Sequence, residues 1–353
     1  MVNQTNYSME TDRLARALQG NADEFSRLTE PYRLELQVHC YRILGSLTEA
    51  EDMVQETFLR AWKRLATYQG RSTFRAWLYK IATNACLDVL DRDRSRRTLP
   101  VNIYPAADPH TGILPPAPEN HWLEPFPDEW LIDQAAANPE AHYSSYESIS
   151  LAFLTALQTL PPRQRAVLIL SDVLDWSAQE TADLLGLTVA AVNSALHRAR
   201  VTLAKNYHSQ EANHPLQLQP DEHTRKMLDR YVHAWQVADV DGLVALLKQD
   251  AVFSMPPSPT WYQGRNAIRQ FVKETLFANE GVFSGKAAGR WRLITIQANG
   301  QSAAAIYIRG GTKEYRPFGI QVLKFGRSGI AQIISFMDPA LPIHFGLPEV
   351  IKD

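Results

Sequence analysis

With 353 residues, 45% of them hydrophobic, the chain is long enough for two or three domains with cores of their own. A formal net charge of -2 excludes the global positive excess of a general nucleic-acid binder, so any such contact has to come from local patches. Cys40 and Cys86 sit in apolar helical patterns without CxxC spacing, which argues against a disulfide framework or a zinc site.

The same reading implies no metal and no cofactor. No signal peptide opens the chain and no apolar run is long enough to cross a bilayer, so the expectation is a cytoplasmic protein without membrane contact.

The first block, residues 1–97, reads as helices throughout. Phe25, Leu28, Tyr32 and Leu36 recur at helical spacing, and "TEAEDMVQETFLRAWKRL" continues the pattern. Its acidic face, with Glu49, Asp52 and Glu56 beside Met53, Phe58 and Trp62, offers carboxylates plus apolar area, as a protein-docking surface does. A Gly-containing loop leads to a helix from Ser72 to Arg94. Phe74, Leu78, Ile81, Ala85 and Val89 form its apolar stripe, and Lys80, Asn84, Asp88 and Arg92 lie opposite with Trp77 and Tyr79 beside them. The helix ends in a basic run, Arg92, Arg94, Arg96 and Arg97. Aromatic rings next to amide and basic groups suit unstacked bases, while arginines hold phosphates.

Residues 98–146 contrast with this block. No Lys or Arg occurs from Thr98 to Pro162, and nine of the 21 prolines fall between Pro100 and Pro139. Proline removes backbone donors and biases its predecessor away from the α region, which predicts an extended acidic linker. Its "NHWLEPFPDEWLI" places Trp122, Leu123, Phe126, Trp130, Leu131 and Ile132 in a short segment. A free tether avoids such groups, so they imply a docking site.

In the next block, residues 147–206, "WSAQETADLLGLTVAAVNSALHRARVTL" has the arithmetic of a helix-turn-helix. Ser177 and Glu180 form a capping box, Gly186 supplies a left-handed stop and Thr188 caps a second helix. In that helix Val192, Ala195, Leu196, Ala199 and Leu203 form the inner stripe. Ala190, Asn193, Ser194, His197, Arg198 and Arg200 remain outside, a mix of small, polar and basic groups suited to a major groove.

After a polar break around residues 206 to 222 the pattern turns to strands. Two amphipathic helices precede "AVFSM" and a helix from about Asn266 to Phe277, and "WRLITIQA" and "QSAAAIYIR" flank Asn299-Gly300, a type I′ hairpin signal. The block from 222 to 353 is therefore expected to be α+β, a curved antiparallel sheet with helices on one face.

The order "AEDMVQETFLRAW", "STFRAWLYKIATNACLD", linker, "LPPRQRAVLILSDVLDWSAQETADLLGLTVAAVNSALHRAR" resembles the extracytoplasmic-function (ECF) bacterial sigma factors, promoter-recognition subunits of RNA polymerase, over about residues 20 to 205. The resemblance implies two all-α domains joined by the linker, and the partners core RNA polymerase, through its clamp and flap regions, and promoter DNA. It assigns Glu49, Asp52, Gln55, Glu56, Leu59 and Trp62 to polymerase binding. Tyr68, Arg71, Ser72, Trp77, Lys80, Asn84, Asp88 and Arg92 go to the -10 element, and Ala190, Asn193, Ser194, His197, Arg198 and Arg200 to the -35 element. Many relatives carry basic residues where this chain has Asn193 and Ala195, which implies a weaker phosphate grip. The linker, by the same likeness, runs through the polymerase channels.

Residues 222–353 resemble the SnoaL-like, cone-shaped α+β fold related to ketosteroid isomerase, on "MPPSPTWYQGR" and "FMDPALPIHFGLP". That fold encloses a pocket, which Tyr231, Trp235, Phe253, Met255, Trp261 and Tyr262 would line around an unknown small ligand. Asp338 with His344 or Arg309 could in principle supply an acid and a base, yet no titratable pair is secure, so the expectation is a sigma factor regulated in cis by its C-terminal domain and not an enzyme. Two other classes stay open from sequence: a SnoaL-like enzyme with a DNA-targeting module, and a ligand-responsive helix-turn-helix regulator.

Overall fold

The helices form where caps and apolar stripes coincide. The computed structural model describes residues 11–92, 97–117, 121–131, 146–207, 220–283, 285–311, 313–326 and 328–352. Arg94, Arg96, Ile132 and most of the polar break before residue 220 lie outside them. The described residues fall into two units, one formed by residues up to 92 with 156–207, the other by 97–155 with 220–352.

In the first unit α1 (Ala22–Thr29), α2 (Arg33–Leu44), α3 (Leu47–Arg64) and α4 (Phe74–Arg92) make one lobe. Ser46 caps α3 by accepting from Glu49 N at 3.1 Å, and Thr73 does the same for α4 from Ala76 N at 3.2 Å. Helix α4 thus starts two residues later than the sequence pattern suggests. The buried stripe of α4 holds Phe74, Leu78, Ile81 and Ala85, with Val89 half-buried, and Cys40 and Cys86 are free buried thiols.

Beyond α5 (Leu151–Gln158), α6 (Pro162–Leu168) runs into a π turn over Ile169–Val173, then α7 (Ala178–Leu185) and α8 (Val189–Asn206). Ser177 and Glu180 close the capping box on α7, Gly186 stops it at φ 65°, and Thr188 accepts from Ala191 N at 3.2 Å to start α8. Val167, Ala182, Val192 and Ala195 pack as the small core of this lobe.

The second unit holds α9 (Glu222–Val237), α10 (Val240–Ala245), α11 (Arg265–Phe271) and α12 (Leu341–His344). Its seven strands are β1 (Leu247–Ser254), β2 (Trp261–Gln263), β3 (Trp291–Ala298), β4 (Gln301–Arg309), β5 (Glu314–Gly326), β6 (Gly329–Phe336) and β7 (Ile351–Lys352), in the order β2-β1-β6-β5-β4-β3 with β7 on β5. The hairpin turns at Asn299 and Gly300, both at positive φ (55° and 70°), as a type I′ turn requires. The sheet is mixed: β1 pairs with β6 in parallel, Phe253 opposite Ile333, where the sequence pattern suggested an antiparallel sheet. The helix and four strands between them supply the crossover that a parallel pair needs.

The linker is part of this unit. Its described stretches, 98–117 and 121–131, are mostly extended as expected from the prolines, yet they are bonded to the α+β fold at several points. Ala107 N donates to Trp261 O (2.8 Å), Leu114 N to Thr260 Oγ1 (3.0 Å), and the Tyr262 hydroxyl to Gly112 O (2.7 Å). Leu123, Phe126 and Leu131 are fully buried.

Candidate nucleic-acid interface

Helix α8 presents its outer stripe as the sequence arithmetic predicts. Ala190, Asn193, Ser194, His197, Arg198 and Arg200 are all exposed, while Val192, Ala195 and Ala199 are buried. Because Ala195 belongs to the core, only Asn193 of the two departures bears on phosphate contact. Arg200 is held by Asp172 of the π turn through two bonds, Nε to Oδ2 at 2.9 Å and Nη2 to Oδ1 at 2.6 Å.

On α4, Lys80, Asn84, Asp88 and Arg92 are exposed, with Trp77 half-buried. In the preceding loop Arg71 and Ser72 are exposed. Tyr68 donates its hydroxyl to Ser72 O at 2.8 Å and sets its ring 5.3 Å from Trp77 and 5.6 Å from Phe74, which fixes the loop against the helix. Tyr79 corrects the sequence reading: it is buried, against His39 at 4.8 Å and under the Arg75 guanidinium at 4.8 Å, so it is scaffold. Its phenol is pushed above its usual range by desolvation. Asp88 accepts from Arg60 Nη1 at 2.8 Å, and Arg60 Nε also donates to Glu56 at 2.6 Å, so this carboxylate joins α4 to α3.

On α3 the acidic face is formed by exposed Asp52 and Gln55 with half-buried Glu49 and Glu56. The apolar exposure differs from the sequence reading. Met53, Phe58 and Trp62 are half-buried, Trp62 against Phe25 at 5.1 Å and Phe58 beneath Arg33 at 5.1 Å, and Leu59 is the large apolar group left outside, 47% exposed.

The two helical lobes pack on one another within their unit. Lys80 Nζ donates to Asp183 O at 2.9 Å and Tyr79 meets Trp176 at 5.4 Å. Arg165, buried, donates to Ile43 O (2.6 Å) at the end of α2, and to Gln158 O (3.4 Å) and Leu160 O (3.3 Å) at the end of α5. A cation at two helix C-termini meets the negative ends of both dipoles. The contacts of Lys80, Tyr79 and Ile43 with the other lobe were not legible in sequence, because each joins residues about a hundred positions apart.

In the second unit the six residues expected to line a pocket are buried, and all but Trp261 pack in one core cluster. Tyr262 stacks on Phe271 at 4.4 Å, Phe253 lies 5.7 Å from the same ring, Trp235 meets Trp291 at 5.5 Å, and Met255 is in the same cluster. Their polar ends are engaged: Tyr231 with Gln321 (2.6 Å), Trp261 Nε1 with Tyr104 O (2.9 Å), and Tyr262 with the linker. Trp235 Nε1 is buried and meets the Tyr231 side chain, whose ring lies 6.2 Å from that of Trp235. Asp338 is an exposed turn residue accepting from Ala340 N at 2.8 Å, and Arg309 stacks over Tyr315 at 4.7 Å, in the cluster containing Tyr307 and Ala305. Asp338 and Arg309 therefore do not meet as an acid and base pair.

The second half of the linker grips the β3–β4 hairpin. Asn299 accepts from Phe126 N (2.9 Å) and donates to Ile149 O (2.6 Å), and Gly300 N donates to both oxygens of Asp128 (2.9 and 3.0 Å). Desolvation raises the Asp128 carboxyl to about 7.

A capped helix-turn-helix, a second helix with exposed basic and amide groups, and an α+β domain carrying their linker define a multi-domain transcription factor of the sigma type. Residues 28–97 match the Sigma-70 region 2 family, 150–203 Sigma-70 region 4, and 228–338 the SnoaL-like domain. The chain is 43% identical over 327 residues to the ECF RNA polymerase sigma factor SigG of Mycobacterium tuberculosis, covering 92% of this chain and 84% of SigG. It is 28% identical to SigW of Bacillus subtilis over 55% of this chain and 94% of SigW. The crystal structure of M. tuberculosis SigJ shares the fold at a TM-score of 0.52 and 22% identity, over 91% of this chain and 98% of that one. The chain belongs to the ECF RNA polymerase sigma factors, carrying a C-terminal SnoaL-like domain. Sigma factors bind core RNA polymerase and promoter DNA and are not enzymes. No described helix is long and apolar enough to cross a membrane.

Proposed function

We propose that Asp52, Gln55, Glu56 and Leu59, with Glu49 and Trp62 behind them, meet the polymerase clamp. Lys80, Asn84, Arg92 and the Tyr68–Ser72 loop take the unpaired -10 strand, and the outer stripe of α8 reads the -35 element near the polymerase flap. Asp88 acts by positioning α4 through Arg60. The C-terminal domain regulates in cis by retaining the linker that the holoenzyme threads through its channels.

The observation that carries this reading is the docked linker, whose backbone and carboxylate are bonded to the 257–262 segment at one end and to the Asn299-Gly300 tip at the other. Two exclusive places for one segment make a two-state switch, because each place offers contacts the other lacks. Hydrogen exchange tests it. The amides of Leu114, Phe126 and Gly300 are protected in the free chain and are expected to lose protection when core polymerase is added. Unchanged protection in the holoenzyme would overturn the retention model.

A further inference from the structure

The outer face of α8 carries two arginines in different electrostatic settings. Arg198 and Arg200 are two residues apart, about 200° around the helix. Asn193, His197 and Arg200 are spaced i, i+4, i+7 and share one stripe, with Arg200 roughly 16 Å along the axis from the start of the helix at Val189. Arg200 meets Asp172 in a forked pair that uses Nε and Nη2. Such a pair fixes the plane of the guanidinium, and Nη1 keeps its N–H donors in one direction. Asp172 comes from the π turn that ends α6, outside the helix-turn-helix proper. This turn places a negative charge beside a helix that has to approach phosphates, which costs affinity unless the carboxylate returns something else.

We propose that Asp172 is a positioning residue for -35 recognition: it holds Arg200 in one orientation, so that the remaining guanidinium donors grip a single backbone phosphate and set the register in which Asn193, Ser194 and His197 meet base edges. This rests on the reading of α8 as the -35 helix. Phosphate contacts fix register and base contacts specify, so a locked arginine converts a general attraction into discrimination. Arg198, exposed on the other flank of the outer face, supplies the sequence-independent part. The pair is close to neutral as a unit, so Arg200 in this state releases fewer counterions than an unpaired arginine.

The consequence has opposite signs for two measurements. Asp172→Asn keeps the shape of the side chain and removes its charge. Affinity for random-sequence duplex is expected to rise, and the slope of log affinity against log salt to steepen by up to about one. Discrimination between preferred and random -35 sequences is expected to fall by about tenfold, the size of one register-dependent base contact. Asp172→Glu, which can still form the fork, is expected to recover most of the discrimination.

The experiment uses holoenzyme reconstituted from the full chain and core RNA polymerase, challenged with duplexes randomised over the upstream element, with sequencing of the retained fraction and a salt titration on one random duplex. Lower discrimination with tighter random binding in Asp172→Asn, restored by Asp172→Glu, supports the proposal. Equal losses on all sequences would make the pair purely structural and overturn it, as would unchanged discrimination in Asp172→Asn. If the parent holoenzyme enriches no upstream motif, the -35 assignment of α8 fails and the proposal with it.

Discussion

Two buried titratable side chains give the two units opposite responses to pH. Asp128 prefers its protonated form in the folded chain, since desolvation lifts it from an ordinary 3.8 to about 7 against the pull of the Gly300 and Asn299 amides, with Tyr146 the titratable neighbour that its charge perturbs. A raised carboxyl contributes stability that is present below its unfolded value and is lost as pH rises through about 7. His39, fully buried and 2.8 Å from Thr83, is lowered from 6.5 to about 3 by desolvation and then by Arg42 and Arg75, so its contribution is present above pH 6.5 and is lost as pH falls toward 3. Thermal unfolding followed from pH 5 to 9 is expected to show the C-terminal unit weakening up to about pH 7 and levelling off above it. Asp128→Asn, which cannot ionise, is expected to flatten that limb and leave the acid limb of the helical unit intact. An undiminished slope below about pH 7 in Asp128→Asn would show that another group carries it. Neither shift was legible in sequence: Asp128 reads as one more acid in an acidic linker, and its burial depends on a hairpin some 170 residues away.

At the scale of elements, local chemistry foretold local structure well. The capping box at Ser177 and Glu180, the left-handed Gly186 and the Asn299-Gly300 turn each need only a few neighbouring residues to act, and each is found where the sequence put it. Strands β2 and β7 are three and two residues long, too short for alternation to be read, and the parallel pairing of β1 with β6 depends on a crossover. Helix α4 shows the limit at the candidate site. Its face was read from spacing alone, but α2 and the segment around Trp176 cover Tyr79 and leave Lys80 and Asn84 outside. Alanine at Lys80 and Asn84 is therefore expected to reduce promoter opening several-fold while duplex binding through α8 survives, and phenylalanine at Tyr79 to leave opening unchanged once folding is verified. Permanganate reactivity of -10 thymines measures both; equal reactivity in the Lys80 and Asn84 variants would reduce α4 to scaffold.

For the whole molecule the central fact is that Lys80, Arg200 and the described part of the linker are held by the chain itself. The names of the two promoter elements put their centres about 25 base pairs apart, roughly 85 Å of duplex at about 3.4 Å per pair. In this structure Lys80 of α4 is bonded to Asp183, five residues before the cap of α8. Under the proposed assignment of α4 to the -10 element and α8 to the -35 element, one arrangement cannot serve both, and promoter engagement is expected to part the lobes and release Arg165 from Ile43 O. The composition of the linker pointed to docking through its aromatics, and Leu123, Phe126 and Leu131 are buried as that reading requires; which surface receives them was set by long-range contacts that no local pattern records. The most direct measurement is in vitro transcription with purified core RNA polymerase on a library of promoter fragments, with the full chain and with a chain ending at Asn206. The account predicts transcripts from a restricted promoter set that appear only when the chain is added, with the same start sites and a changed yield when the C-terminal domain is absent. Core polymerase giving the same transcripts with or without the chain would contradict it.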